Sequence, residues 1–211
     1  MNYSELVQAI QDYTQNEETS FVSNIPLFVQ QAEERINRSI MIPELRKNAT
    51  AATTNGNQYV ARPIDFLSVF SFAVVDGSGD YNYLIDKDVS FIREAYPSSS
   101  TSGLPKYYAQ FDGDFGSDEG NFIIAPTPDA DYTIELHYYY DPESIVTAGT
   151  SWYGDNAESA LLYGSLIEAY TYMKGEADLV ALYTARYSEA MGNLTGVDIR
   201  SDRDEYRNGK V

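Results

Sequence analysis

The stretch of sequence that decides the fold is YTIELHYYY, residues 132–140. Side chains alternate between the two faces of a β-strand, and here one face receives only apolar or aromatic side chains. These are Tyr132, Ile134, Leu136, Tyr138 and Tyr140. The opposite face receives Thr133, Glu135, His137 and Tyr139. This alternation predicts a strand with one face in a core and the other at a surface.

Further strands are predicted on the N-terminal side of this stretch. Segments rich in aromatic and β-branched side chains occur at 58–61, 66–75, 81–85, 106–111 and 121–125. The last two predict a hairpin whose tip is acidic and rich in glycine. We expect residues 51–150 to form an antiparallel β domain, which is a β-sandwich or a β-barrel-like sheet.

The N-terminal part of the chain has the period of helices. Apolar side chains recur at helical spacing along residues 3–14 and 25–40. Asn2 and Glu5 have the spacing of a capping box at the start of the first helix. Pro26 suits the first turn of the second helix, where a missing N–H group costs nothing. The sequence therefore predicts two helices before the β domain.

Helical spacing returns after the β domain. Asp155 and Glu158 have the spacing of another capping box, and Gly175 is placed to end this third helix. A fourth helix is expected to begin at Asp178 and to end at Gly196.

An apolar stripe runs along each of the four helices, and no single helix can bury its own stripe. We therefore predict an α+β fold in which residues 1–50 and 151–196 form a four-helix bundle. The β domain is inserted between the second and third helices. Residues 197–211 are too polar to form a core, so we expect them to be an extended C-terminal arm.

Composition excludes several classes of function. The chain has no Cys, which rules out disulfides, thiolate zinc sites and cysteine nucleophiles. Its formal net charge of −18 has the wrong sign for a free nucleic-acid-binding protein, because Lys and Arg supply affinity for phosphates. No apolar stretch approaches the roughly 18 residues of a membrane span, and the polar N-terminus lacks the features of a signal peptide. We expect the protein to be made and kept, or assembled, in the cytoplasm.

Candidate catalytic and metal-binding residues are few. His137 is the only histidine, and neither a Gly-x-Ser-x-Gly elbow nor a phosphate loop is present. His137 is better explained as a half-exposed histidine on a strand than as a member of a Ser-His-Asp triad or a ligand of a zinc site. The acidic segment that begins at Asp112 suggests a calcium loop, but the twelfth position of such a loop is Ile123. We predict no enzyme activity, no catalytic residue, no metal site and no cofactor.

Tyrosine is frequent, with 19 residues in the chain. Its ring suits strands and also protein interfaces. Tyr138, Tyr139 and Tyr140 cannot all point into one core, so Tyr139 must face solvent or a neighbouring molecule. The candidates for contacts between subunits, or with a tail protein, are Asp112, Asp114, Phe115 and Tyr139.

Three stretches carry a family resemblance: LPKYYA at 104–109, IAPTPDADYTIEL at 124–136 and ALLYGSLIEA at 160–169. They resemble the head-to-tail adaptor (connector) family of tailed bacteriophages. The order of elements along nearly the whole chain is similar as well. The resemblance implies a structural virion protein, without catalytic residues, in the neck that joins head and tail.

In this family the subunits form a ring beneath the capsid portal, so the resemblance implies a homo-oligomer of about twelve copies, a dodecamer. It also implies that the C-terminal arm docks on the portal protein. The arm residues expected to make this contact are Ile199, Arg200, Arg203, Tyr206, Arg207 and Val211. A tail or nozzle protein is the expected partner on the other side.

DNA is expected to pass through the channel of the ring without specific binding. Residues 51–150 carry fifteen acidic and four basic residues, and part of this charge is expected to line the channel and repel phosphates. We expect assembly in the host cytoplasm and a final place in the virion. The alternative function is a carbohydrate- or receptor-binding β module of a phage tail or baseplate, which predicts exposed aromatic rings in a concave groove.

Overall fold

The computed structural model describes the backbone of residues 1–112 and 120–208. It describes the side chains of residues 1–112 and 120–194. The chain divides into two compact units. The helical unit comprises Met1–Pro43 and the chain from Pro142 onward, and the β unit comprises Glu44–Asp141. The β unit begins at Glu44 rather than near residue 51, because residues 46–52 already pair as a strand.

Helices and strands follow one another in the order of an α+β protein. The order is α1 (Tyr3–Thr14), α2 (Thr19–Val22), α3 (Ile25–Ser39), a 3₁₀ turn (Pro43–Leu45), β1 (Arg46–Ala52), β2 (Tyr59–Ala61), β3 (Phe66–Val75), β4 (Tyr81–Tyr83), β5 (Ile85–Asp86), α4 (Val89–Ala95), β6 (Tyr107–Gln110), β7 (Asn121–Ala125), β8 (Thr133–Tyr140), α5 (Ile145–Ala148), α6 (Trp152–Asn156), α7 (Glu158–Tyr172) and α8 (Ala177–Asn208). The predicted α+β class is confirmed.

The first two predicted helices, α1 and α3, form where their caps and stripes place them. The Asn2 side chain accepts a hydrogen bond from the backbone N–H of Glu5, and the Glu5 carboxylate accepts one from the backbone N–H of Asn2. This confirms the capping box. Pro26 lies in the first turn of α3, and α3 buries the apolar stripe Ile25, Phe28, Val29, Ala32 and Ile36.

In the helical unit, α1, α3 and α8 all pack against α7. Gly164 permits close approach, because a Cβ atom there would lie 3.0 Å from the Cβ of Ala32 in α3 and 3.3 Å from the ring of Tyr187 in α8. α1 and α8 meet at Tyr13 and Tyr183, whose ring centroids are 6.4 Å apart. The closed four-helix bundle stays a prediction.

The predicted capping box at the start of α7 is wrong. Residues 152–156 form the separate helix α6, whose N-cap Ser151 accepts a hydrogen bond from the backbone N–H of Gly154. α7 begins only at Glu158, after the non-helical backbone of Ala157, and no side chain caps it. Asp155 lies in the first turn of α6 instead, where its charge complements the N-terminal end of the helix dipole.

The C-terminal end of α7 also differs from the prediction. Lys174, not Gly175, takes the left-handed conformation, with φ of +53°. The backbone N–H groups of Lys174 and Gly175 donate to the carbonyl groups of Thr171 and Tyr170, at 3.2 and 2.8 Å. This pair of bonds is a Schellman motif. Glycine at 175 provides space, because a Cβ atom there would lie 2.7 Å from the Tyr170 ring.

α8 continues through Gly196 to Asn208. The predictions that the helix ends at Gly196, and that the following residues are extended, are therefore wrong for the backbone up to residue 208. A glycine inside a helix costs only about 1 kcal/mol relative to alanine, and no proline follows it. Once a helix is formed, each further residue adds a hydrogen bond without a new nucleation cost.

The β unit contains two sheets. The first sheet has the strand order β1-β8-β3-β4 and is antiparallel, and the second sheet has the order β2-β7-β6-β5. β5 and β6 pair in parallel, so the wholly antiparallel prediction is wrong. α4 provides the crossover that parallel neighbours require. Among the described strands neither sheet closes on itself, so the β-barrel-like alternative is wrong as well.

The core of the β unit lies between the two sheets. β8 occupies an inner position in the first sheet, between β1 and β3. As predicted, one of its faces is buried, and the core members from both sheets are Val60, Phe72, Val74, Leu84, Tyr108, Phe122, Ile124, Ile134, Leu136 and Tyr138. On its other side, the second sheet packs against α4, where Ile92 contacts a cluster formed by Ala109, Ile123 and Ala125.

Candidate interaction surfaces

The first sheet has an outer face, which is the side turned away from the core of the β unit. Directly paired residues on neighbouring strands share a face. Strand pairing therefore assigns to the outer face Arg46, Asn48, Thr50, Ala52, Ser68, Ser71, Ala73, Val75, Tyr81, Tyr83, Thr133, Glu135, His137 and Tyr139. Phe70, at a register shift in β3, stands on this side too, with its ring centroid 6.2 Å from that of Tyr139.

Arg46, Phe70 and Tyr139 form a cluster at one end of the outer face. The guanidinium carbon of Arg46 lies 3.9 Å from the centroid of the Phe70 ring. Its Nε and Nη2 atoms donate to the Tyr139 hydroxyl at 3.1 and 2.9 Å. A cation over an aromatic face is attracted by the ring quadrupole, so this cluster fixes both rings.

Glu135 is the centre of a hydrogen-bond network on the same face. Its Oε1 atom lies 3.0 Å from His137 Nε2 and accepts from Asn48 Nδ2 at 3.2 Å. Its Oε2 atom accepts from the Tyr81 hydroxyl at 3.1 Å. The hydrogen bond with His137 is the main cause that holds the pKa of Glu135 below its usual value. Glu135 is therefore a fixed negative charge at neutral pH.

A groove of about 410 Å³ runs between these groups, and we call it the aromatic groove. It is lined by Phe70, Ser71, Ala73, Tyr81, Tyr83, Glu135 and His137. Phe70, Tyr81 and Tyr83 are 51, 55 and 66% exposed, so three aromatic rings are open to solvent along one groove. The groove therefore has aromatic walls and one carboxylate.

The structure gives Tyr139 and His137 the surface positions that alternation predicts. Tyr139 is half-buried on the outer face, where its hydroxyl accepts from Arg46. The His137 side chain is 42% exposed beside Glu135, which fits the prediction of a half-exposed strand histidine. Whether Tyr139 contacts a neighbouring subunit stays a prediction.

Asp112, which follows β6, is hydrogen-bonded to the first residue of β7. Its Oδ1 atom accepts from the backbone N–H of Asn121 at 2.5 Å and from Asn121 Nδ2 at 3.2 Å. This is a local structural role, and its role as a contact residue stays a prediction. Asp114 and Phe115 lie outside the residues that the structure describes.

The candidate arm residues Ile199, Arg200, Arg203, Tyr206 and Arg207 all lie on α8, and Val211 lies beyond the described part. An α-helix turns by about 100° per residue, so these five positions fall within an arc of about 120°. The acidic positions 198, 202, 204 and 205 fall outside that arc. The helix thus brings the candidates to one face, which an extended arm would not do.

In the described residues, no group of three or more His, Asp or Glu side chains has the arrangement of a metal site. None of the helices that the structure describes is both long and apolar enough to cross a membrane.

The aromatic groove was not among the predicted sites. Alternation along residues 132–140 does place Glu135, His137 and Tyr139 on one face. It does not reveal that Phe70, Tyr81 and Tyr83 join them, because this depends on the pairing of β3 with β8 and β4. The frequency of tyrosine was the signal in the sequence that an exposed aromatic surface exists.

Comparison with known proteins identifies one family. A profile described as SU10 adaptor protein matches residues 1–210. A search of curated proteins finds no match.

Proposed function

Since the chain belongs to the SU10 adaptor protein family, a family of structural phage adaptors rather than a class of enzymes, we propose that it is a subunit of a ring that joins the capsid portal to the tail. The observation that carries this proposal is the family match along residues 1–210. Membership makes the chain a virion component that interacts with other head and tail components. The ring, the portal contact and the DNA channel are the proposal.

In the proposed ring, about twelve copies repeat one head-to-tail interface around a closed axis. The proposed bundle consists of α7 and the helices that pack on it, and this bundle packs around the ring. Each interface must bury on the order of 1,000 Å² to be stable. On the β unit, the proposed contacts with a neighbouring copy, or with a tail or nozzle protein, are Tyr139, Asp112, Asp114 and Phe115.

The C-terminal part of α8 is the proposed portal-binding arm. Its helical backbone supports this role, because the positions of Arg200, Arg203 and Arg207 share one face with Ile199 and Tyr206. Arg forms bidentate bonds with carboxylates at interfaces, so an acidic groove on the portal is the expected site. Val211 is the last of the proposed contacts.

The proposed channel carries DNA without binding it. The β domain has a large acidic excess, and a ring repeats this charge about twelve times around its axis. Such a wall repels phosphates and lets the genome pass. We propose assembly in the host cytoplasm and a final position in the neck of the virion.

The test is to image the full chain by negative-stain microscopy, and to weigh its assemblies by mass photometry, with and without the portal protein. Rings that appear on the portal are the expected result. A chain that stops at residue 196 should keep its cooperative thermal unfolding but lose portal attachment. A chain that never binds a portal, or a truncated chain that binds as well as the full one, would contradict the proposal or its arm.

A second candidate function is favoured by one observation, the aromatic groove with its exposed Phe70, Tyr81 and Tyr83 rings. Sugar rings stack on exposed aromatic side chains, so a carbohydrate-binding module of a tail or baseplate remains the alternative. It predicts a glycan in this groove and no portal contact. A glycan array on the full chain distinguishes the two functions.

A further inference from the structure

We propose that the aromatic groove on the outer face of the first sheet binds an arginine or lysine side chain from a basic segment of another protein. This goes beyond the proposed ring, because the groove is formed by one chain and can be tested without the portal. The walls, the carboxylate and the charge of the chain each support it.

The walls of the groove fit a long, flat cationic side chain. Phe70, Tyr81 and Tyr83 present exposed rings, while Ser71 and Ala73 are small and leave space between them. An aromatic ring attracts a guanidinium or an ammonium group that lies over its face. The same sheet face already holds one such group, since the Arg46 guanidinium stacks on Phe70 at 3.9 Å.

The Glu135 carboxylate supplies the counter-charge. A carboxylate has about four acceptor positions, and among the described residues His137, Asn48 and Tyr81 lie within hydrogen-bond distance of it. Their bonds hold the carboxylate in place and leave room for one further donor. Because the Glu135 carboxylate is already oriented, little free energy is lost in ordering it when a cation binds.

Charge also selects the source of the cation. The chain has a formal net charge of −18, so its long-range field draws basic segments towards it. A second copy carries the same net charge, so charge complementarity favours a different protein as the source of the cation. We therefore assign the groove to a basic segment of a different protein, and a second copy becomes an outcome of the test.

The experiment is a titration of the ¹⁵N-labelled full chain, followed by NMR, with the peptide acetyl-Gly-Arg-Gly-amide. The control peptide has citrulline in place of arginine, which keeps the shape and removes the charge. We expect the arginine peptide to shift the amide signals of Tyr81, Tyr83 and His137, and to bind at least about fivefold more tightly than the citrulline peptide.

Matched variants separate the groove from the general acidity of the chain. Glu135→Gln should weaken binding of the arginine peptide about fivefold, whereas Glu94→Gln, the same change at an exposed position of α4, should leave it unchanged. Tyr83→Ala should weaken binding as well, with Ile85→Ala, an exposed strand residue of the second sheet, as its control. Both groove variants should keep the amide spectrum of the second sheet.

Five results would overturn the assignment. The first is that the two peptides bind equally, and the second is that the two Glu variants weaken binding equally. The third is that maltotriose or chitotriose shifts the same amide signals at lower concentration, which would identify a carbohydrate site. The fourth is that these signals shift when the chain alone is concentrated, which would assign the groove to a second copy. Absence of any shift with the arginine peptide at about 20 mM would also overturn it.

Discussion

Asp65, which directly precedes β3, connects the neighbouring strands β1 and β8 of the first sheet through its carboxylate. Lys47 Nζ lies 2.6 Å from Oδ2, and the Tyr138 hydroxyl donates to Oδ1 at 2.7 Å. Partial burial alone would raise the pKa of Asp65, but the hydrogen bonds from Lys47 and Tyr138 outweigh it and lower the pKa below its usual value. The folded β unit therefore favours the charged form of this group.

This lowered pKa gives a stability effect with a defined sign. A carboxylate whose pKa is lower in the folded state stabilises the fold above its unfolded pKa of about 3.9, and this contribution is lost as the pH falls through the folded pKa. We expect Asp65→Asn to lower the free energy of unfolding by about 1 kcal/mol at pH 7. The difference from wild type should shrink as the pH falls below about 4.

Thermal unfolding of both proteins between pH 7 and pH 3 checks this expectation. Glu94→Gln makes the same charge change at an exposed position and serves as the control. A difference between Asp65→Asn and wild type that stays constant with pH would show that the charge of Asp65 is not the cause.

Glu33 is a buried carboxylate, 6% exposed, in the middle of α3. It accepts hydrogen bonds from the Ser144 hydroxyl at 2.6 Å and from the backbone N–H of Ile145 at 2.8 Å. Hydrogen bonds to charged groups contribute about 1.5–3 kcal/mol, and an amide has only one oxygen with which to accept. We expect Glu33→Gln to lower the free energy of unfolding by about 2 kcal/mol.

Urea unfolding of Glu33→Gln is the measurement, with Glu34→Gln as its control. Glu34 is the next residue along α3, its side chain is 59% exposed, and its change is expected to stay within about 0.5 kcal/mol. Equal effects of the two substitutions would mean that Glu33 does not anchor the start of α5.

At the scale of elements, the end of α7 combines a strained residue with a crowded one. Lys174 has φ of +53°, which is a left-handed backbone conformation that is energetically unfavourable for a residue with a Cβ atom. Gly175 lies against Tyr170, where a Cβ atom has no room. Glycine thus occupies the crowded position, and lysine occupies the one that needs a left-handed backbone.

We expect Lys174→Gly to stabilise the helical unit by about 0.5–1 kcal/mol, because it removes the left-handed strain at the cost of a more flexible unfolded chain. Gly175→Ala should destabilise the unit, since Tyr170 must move. Melting temperatures followed by circular dichroism give both values, with an expected rise of about 2–4 °C per kcal/mol for the first variant. A fall in melting temperature for Lys174→Gly would contradict the proposed strain.

At the scale of the whole molecule, the net charge of −18 opposes contact between copies. Salt screens such repulsion, since the Debye length falls from about 10 Å at 0.1 M to about 3 Å at 1 M. We expect self-association of the chain, measured by analytical ultracentrifugation, to increase between about 0.1 and 1 M NaCl. Binding of the arginine peptide to the aromatic groove should weaken over the same range.

These opposite salt responses distinguish the two kinds of contact. Self-association that weakens with salt would mean that ion pairs, rather than apolar contacts, dominate the interface between copies. Peptide binding that is unaffected by salt would mean that the groove binds by stacking alone.

The sequence by itself determined those helices and strands that depend on interactions between residues close together in the chain. Periodicity predicted α1, α3 and β8, and the Asn2–Glu5 pair predicted a cap that forms, because these signals depend only on residues a few positions apart. The insertion of a β domain between helices also followed from the order of these patterns. The same local rules failed at Gly175 and Gly196, where packing against Tyr170 and the continuation of an existing helix decided the outcome.

Only the tertiary structure decided which strands are neighbours, and therefore what the surface contains. The register of β8 with β1 and β3 brings Glu135 within reach of Asn48, and the pairing of β3 with β4 adds Tyr81 and Tyr83. Such contacts join residues more than fifty positions apart, as in the hydrogen bond between Tyr81 and Glu135. Alternation along one strand fixes the face of each side chain but not its neighbours across the sheet, because strand pairing depends on the burial of the whole core.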